Sequence, residues 1–345
     1  MLGGLTPRAF LRRHWQKRPL FVPRAIPGFA GIVDLRSLAE LAARDDVESR
    51  RVERRGSRWE TARGPFGVNA RPGRTNATLL VSGVNLHLPA ADALLRRFDF
   101  IPQARLDDVM VSYATPGGGV GPHVDSYDVF LLQGEGRRRW RVWHDEVLEY
   151  VAGPGDLLYL PPGLRHDGVA LERCFTYSIG FRAPRGAELG AAFLDWLHRR
   201  GLPDSAYRDP RLPVARHPAA IPRSMIAFAR KALGGIRWTQ GDVALFLGEY
   251  LSEPKAHVVF RRGAARKRAL RGSRIRLDPK TQLLYCGRRI FINGERIAAA
   301  PRARRLLREL ADRRSIAGEK LAGSPLADLI YDWQRLGYLH MEKRA

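Results

Sequence analysis

A chain of 345 residues with 45% hydrophobic content is long enough for two or three domains, each able to bury a core. Fifty-nine Lys and Arg against 35 Asp and Glu leave a formal charge of +24, which points to an acidic partner such as nucleic acid or a ribonucleoprotein, although an arginine bias from GC-rich coding contributes too. Two distant cysteines, Cys174 and Cys286, exclude a disulfide framework and a cysteine metal site; the absence of an apolar run near ~20 residues and of a secretory core excludes a membrane span and leads us to expect a cytoplasmic protein with two buried thiols.

The first predicted element is a helix over 6–16. Thr6 is suited to its N-cap, Pro7 to its first turn, and Phe10, Leu11, His14 and Trp15 recur at helical spacing. The chain then extends through residues 17–22. Helices follow at 34–43, where Leu35, Leu38, Leu41 and Ala42 share a face, and at 90–98. From 76 to 182 short apolar runs alternate with Gly, Pro and Asp. The runs 78–82, 109–113, 128–133, 140–143, 156–160 and 174–181 predict an antiparallel sandwich or barrel, not a βαβ array. Helices are predicted at 186–200, with Leu189, Phe193, Trp196 and Leu197 on one stripe, and at 222–233 and 241–251.

Residues 255–345 hold 23 basic and eight acidic residues, so a quarter of the chain carries +15 of the +24. Strands at 274–277, 283–286 and 289–292, an Asn293-Gly294 turn, helices at 301–313 and 324–335 and a last strand at 338–341 resemble a winged helix. Contact with nucleic acid or the ribosome is one reading, and an ordinary solvated domain is the other.

The chemistry lies in Gly117-Gly-Gly-Val-Gly-Pro-His123-Val-Asp125. A strand directs residues i and i+2 to one face, so His123 and Asp125 can share a cavity. A third ligand is His166, in Gly155-Asp-Leu-Leu-Tyr-Leu-Pro-Pro-Gly163-Leu-Arg-His166, where Pro161-Pro162-Gly163 bends the chain toward the barrel mouth. Two histidines and one carboxylate on one side of a metal form the facial triad of non-haem Fe(II) oxygenases, which leaves positions open for a 2-oxo acid and O2. A lone His-x-Asp is weak, but the Gly-rich turn before it and the downstream Pro-Pro-Gly-x-x-His make the set specific. In Arg137-Arg-Arg-Trp-Arg-Val142, alternation places Arg138 with Trp140 and Val142, facing inward. A buried guanidinium needs a partner, and the far carboxylate of 2-oxoglutarate or an ion pair with Asp156 would serve.

These residues resemble the bacterial ribosomal oxygenases, JmjC-type hydroxylases that act on an arginine of a large-subunit ribosomal protein. The likeness is carried by Arg13-His-Trp-Gln-Lys-Arg-Pro19, Pro116-Gly-Gly-Gly-Val-Gly-Pro-His-Val-Asp-Ser-Tyr-Asp-Val-Phe130, Gly136-Arg-Arg-Arg-Trp-Arg-Val142, Pro161-Pro-Gly163 with His166, Tyr177-Ser-Ile-Gly-Phe-Arg-Ala-Pro184 and Leu247-Gly-Glu-Tyr-Leu-Ser-Glu-Pro-Lys255. It implies an α+β fold in three parts: a JmjC/cupin double-stranded β-helix with N-terminal helices (1–183), a helical dimerisation segment (184–254) and a basic winged-helix domain (255–345). It implies Fe(II) on His123, Asp125 and His166, with 2-oxoglutarate on Arg138, Ser112 and Thr176 and O2 as co-reactant. The expected reaction is 3-hydroxylation of an arginine, whose cationic side chain calls for a polar lining; Asp108, Tyr127 and Asp128 are the candidates. A homodimer and contact with ribosomal RNA are the other expected associations. Departures are the short connection between Trp143 and Gly153, which bears on the outer substrate groove, Ala114 where a hydroxyl residue is familiar, and Thr176 in place of an Asn. Histidine hydroxylation or lysine demethylation at the same iron site is one alternative. A cupin sensor with a DNA-binding winged helix is another, and Arg138 argues against it.

Overall fold

The computed structural model describes residues 1–67, 72–263 and 270–343. Thr6 accepts a hydrogen bond from the Ala9 amide at 3.2 Å and starts α1 (Pro7–Arg13). After β1 (Leu20–Val22), Asp34 caps α2 (Leu35–Ala42) by accepting from the Ser37 amide at 2.7 Å. A hairpin follows, β2 (Ser49–Arg55) and β3 (Arg58–Arg63), which the sequence reading did not anticipate. Its residues are mostly charged, so apolar periodicity has little to register there.

The remaining barrel elements are β4 (Ala77–Val81), α3 (Pro89–Arg96), β5 (Leu106–Ala114), β6 (His123–Val124), β7 (Val129–Gln133), β8 (Arg138–Trp143), β9 (Val147–Ala152), β10 (Leu157–Leu160), β11 (Arg165–Ala170) and β12 (Cys174–Phe181). They form an eight-stranded sheet in the order β1-β10-β7-β12-β5-β4-β2-β3 and a four-stranded sheet in the order β6-β11-β8-β9. Strands β7, β10 and β12 are buried at every position, as strands covered on both faces are. On β7, Phe130 and Leu132 join a large core with Phe10, Leu38 and Leu95 of the N-terminal helices. Val129 and Leu131 join a smaller one with Trp140 and Val142 of β8. Most of the apolar burial is therefore on the outer face of the large sheet. The interior, relieved of that task, keeps a cavity of about 480 Å³ lined by both sheets.

Beyond the barrel come α4 (Gly186–Arg199), α5 (Arg223–Gly234) and α6 (Gln240–Ser252). Trp196 and Leu197 of α4 pack on Leu245 and Phe246 of α6 and on Phe291 of the C-terminal part, whereas α5 buries no residue. The C-terminal part comprises β13 (Ser273–Leu277), β14 (Leu283–Cys286), β15 (Arg289–Ile292), β16 (Glu295–Ile297), α7 (Pro301–Arg313), β17 (Ser315–Ala317), α8 (Ala327–Leu336) and β18 (Leu339–Lys343). Two three-stranded sheets, β17-β13-β18 and β14-β15-β16, enclose its own core around Leu307, Leu310, Ile330 and Trp333.

One expectation is corrected. Cys174 is buried, but Cys286 is exposed. It ends β14 opposite Arg289 in a tight hairpin whose tip reaches solvent, and of its apolar run only Leu283 is buried. Among the described residues no helix is long and apolar enough to cross a membrane.

Candidate metal and cosubstrate site

Strands β6 and β11 run antiparallel with His123 opposite His166, which brings together two segments 43 positions apart in sequence. The imidazole centroids are 4.2 Å apart. Asp125, just beyond β6, has its Oδ2 3.9 Å from Nε2 of His123 and 3.7 Å from Nε2 of His166. One ligand atom from each residue falls within 4.8 Å of the others. The approach to β6 depends on Gly121, whose φ of +81° favours glycine and where a Cβ would lie 2.7 Å from the Trp59 indole nitrogen. The Pro-Pro-Gly bend is tied to the same place, since the Gly163 amide donates to the Asp125 carbonyl at 2.8 Å.

The two rings share one further feature. Nδ1 of His123 lies 2.9 Å from the Gly121 carbonyl, and Nδ1 of His166 lies 3.0 Å from the Leu164 carbonyl. A carbonyl can only accept, so each Nδ1 carries a proton, which in the neutral ring leaves the lone pair on Nε2, the nitrogen on the Asp125 side. Burial lowers the pKa of His166 and favours the neutral ring that a metal requires, while its bond to the Leu164 carbonyl works the other way. Two imidazoles and a carboxylate converging from one side suit a divalent transition ion with open positions toward the cavity.

At the deeper end of the cavity Arg138 is 5% exposed, on the same inward face as Trp140 and Val142, as the alternation predicts. Its guanidinium lies 5.6 Å over the Trp140 ring, and its Nε and Nη2 have no hydrogen-bond partner among the described residues. Asp156 is not its counter-ion: that carboxylate accepts from the amides of Arg24 and Gly153, each at 2.8 Å. Ser112 and Thr176 are buried in the same wall, paired across β5 and β12. Thr176 donates to Oε1 of Gln133 at 3.1 Å.

Near the mouth the sequence candidates separate. Asp108 and Tyr127 line the cavity. Asp108 accepts from the Gly83 amide at 2.8 Å, and burial raises its carboxyl pKa; burial, with Asp125 nearby, pushes the Tyr127 phenol up to about 12. Asp128 is a correction: it is fully buried and turned away from the cavity, accepting from Tyr159 Oη at 2.6 Å, Gln16 Nε2 at 3.0 Å and Arg105 at 3.4 Å. Lys255 and Asp107, which the sequence reading did not assign, also line the mouth and form an ion pair at 3.0 Å. Burial opposes the charge of Lys255, but Asp108 and Asp107 outweigh it and raise its pKa. Lys255 stands in the Leu247–Lys255 motif, which was the one available signal.

The chain matches family models for a JmjC domain over residues 93–152 and 144–189 and for a ROXA-like winged helix over 235–340. It is 40% identical over 267 residues, 71% of each chain, to the ribosomal protein uL16 3-hydroxylase of Escherichia coli. It is 36% identical over 208 residues, 54% of this chain and 52% of the relative, to a probable ribosomal oxygenase of Haemophilus influenzae. Its fold superposes on the solved ribosomal oxygenase YcfD of Escherichia coli with a TM-score of 0.85 and 33% identity, covering 98% of both chains. A structure of that protein in complex with cobalt and 2-oxoglutarate gives the same score and identity over 98% of this chain and 99% of that one.

Proposed function

The chain belongs to the JmjC ribosomal oxygenases, and from that membership we propose that it uses Fe(II), 2-oxoglutarate and O2 to hydroxylate C3 of an arginine in a large-subunit ribosomal protein. The observation that carries the cosubstrate assignment is Arg138, a buried guanidinium with two unpartnered nitrogens in the cavity that also contains His123, Asp125 and His166. A dicarboxylate with one end at the metal and the other at Arg138 satisfies both. A sensor without 2-oxoglutarate leaves that guanidinium without a reason.

When bound, iron and 2-oxoglutarate supply with O2 the oxidising chemistry that hydroxylates an unactivated C–H bond, with succinate and CO2 as by-products. The protein contributes placement. His123, Asp125 and His166 would hold the metal, with each imidazole oriented by its own backbone carbonyl. Arg138 would hold the far carboxylate, with Ser112 and Thr176 lining the wall beside it. Val129, Leu131, Trp140 and Val142 form an apolar cluster that keeps water from that end. At the mouth Asp107, Asp108 and Tyr127 offer acceptors for a guanidinium.

The test is intact-mass analysis of large-subunit ribosomal proteins incubated with the enzyme, Fe(II) and 2-oxoglutarate. Gain of one oxygen atom on an arginine, coupled to CO2 release, is expected. Unmodified proteins alongside uncoupled CO2 release would remove the substrate assignment, and no CO2 release would remove the chemistry. Asp125→Ala is expected to abolish both products and to weaken Co(II) binding at least ~100-fold in calorimetry, since even outer partners of a metal ligand are worth 10–100-fold.

Two associations belong to the same proposal. Self-association would use α5, where Met225, Ile226 and Leu233 are 43%, 57% and 69% exposed on a helix with no fully buried residue. Sedimentation of Ile226→Asp beside the native chain tests it; an unchanged mass removes α5 from the interface. Contact with ribosomal RNA would use the C-terminal part, where Arg302, Arg305 and Arg313 of α7 are exposed, and would weaken steeply with salt. A ribosomal substrate in turn places the reaction in the cytoplasm.

A further inference from the structure

The deep end of the cavity holds another polar atom without a partner. Thr78 of β4 is fully buried, it lines the cavity, and its Oγ1 makes no hydrogen bond among the described residues. The sheet register explains why it faces this end. Thr78 lies opposite Ala114 of β5, and Ala114 lies opposite Cys174 of β12. Ala114, Cys174 and Ala170 form one small buried cluster, and Ala170 of β11 lies opposite Arg138. The register thus sets both Thr78 and Arg138 next to one cluster of small buried side chains, and both residues line the same cavity. The neighbouring hydroxyls are engaged: Thr176 donates to Gln133 at 3.1 Å, and Ser112 reaches the Thr176 carbonyl oxygen at 3.5 Å.

We propose that Thr78 is a further cosubstrate-binding residue, its hydroxyl donating to the far carboxylate of 2-oxoglutarate alongside Nε and Nη2 of Arg138. An unpartnered buried hydroxyl is a net cost to the free protein, recovered only when a ligand oxygen accepts from it. That gives the residue a signature a structural threonine lacks: replacing the hydroxyl by a methyl group weakens the ligand while sparing or stabilising the free fold. The proposal rests on Arg138 as the anchor of the same carboxylate, and the experiment reads the two residues separately.

Calorimetric titration of 2-oxoglutarate into Co(II)-loaded protein avoids turnover and gives the affinity directly. Thr78→Val is expected to weaken 2-oxoglutarate about tenfold or more, as loss of a hydrogen bond to a charged group does, and Thr78→Ser to stay within about threefold of the native protein. Affinity for 2-oxobutyrate, which lacks the far carboxylate, should be unchanged in both. The ligand-free melting temperature of Thr78→Val should equal or exceed the native value. Native 2-oxoglutarate affinity in Thr78→Val overturns the proposal. So does an equal loss for 2-oxobutyrate, and so does a Thr78→Val protein that unfolds while Thr78→Ser remains intact, which marks a structural hydroxyl. Arg138→Gln tests the anchor by itself: native affinity there removes Arg138 from the site, whatever Thr78→Val shows.

Discussion

Asp125 and Asp128 stand three positions apart, and one turns to the histidines while the other turns into the protein. The sequence supported an inward Asp125, because i and i+2 share a face with His123, but nothing in Asp-x-x-Asp separated Asp128 from a cavity role. Its direction was settled by partners from residues 16, 105 and 159, which only the folded chain brings near. Asp128→Asn is therefore expected to cost roughly 1–3 kcal/mol of stability through its broken bonds to Tyr159, Gln16 and Arg105, and to leave the peptide KM unchanged. Urea unfolding with peptide titrations checks this; a raised KM at native stability would return Asp128 to the substrate site. Arg138 was legible for a simpler reason: alternation along a half-buried strand sorts one arginine of four in 137–141 onto the face shared with Trp140.

At the level of elements, strands buried on both faces announced themselves as continuous apolar runs, and β12 at Cys174–Phe181 agrees with its predicted limits. The hairpin of β2 and β3 escaped notice because it is mostly exposed and rich in charge. The edge strand β9 is apolar in sequence but only half covered, with Leu148 and Tyr150 against the barrel cluster and Val147 and Val151 in solvent. His166 was expected after a bend, and the bend exists, but its position on β11 directly opposite His123 is a matter of pairing register. The fit between β8 and β11 makes a test. Gly168 lies opposite Trp140, and a Cβ there would come within 2.4 Å of the indole ring. Gly168→Ala must displace Trp140, whose ring centroid is 6.2 Å from that of His166 and over which Arg138 lies. A loss of about 1–3 kcal/mol is expected, as for other overpacked sites, together with weaker 2-oxoglutarate binding. Native stability in the variant would show that the indole has room to move.

Across the whole molecule, the barrel side and the C-terminal part meet around His87. Arg44 and Asp46 face it from the N-terminal side, and Lys280 and His257 from beyond the helical segment. Burial first, then the charges of Arg44 and Lys280, push its pKa down to about 4, while Asp46 opposes them; Asp46 is itself held at about 2, chiefly by its hydrogen bond from Arg44. With an unfolded value near 6.5, the unfolded chain binds more protons between those limits. The stability contribution is then complete above pH 6.5 and is lost as pH falls toward 4. Urea midpoints measured from pH 7.5 down to 4.5 should fall less steeply in His87→Gln than in the native chain; parallel slopes would show that His87 titrates normally. By itself the sequence determined the fold class, the three residues that converge as His123, Asp125 and His166, and the inward arginine, because residue chemistry, local spacing and strand alternation are properties of neighbours along a chain. Tertiary structure alone decided that Asp128 is bonded into the protein away from the cavity, that Lys255 and Thr78 line the cavity, that Cys286 is exposed and that α5 buries no residue fully. Those facts depend on which distant segments become neighbours, and burial and hydrogen-bond satisfaction are defined only once they do.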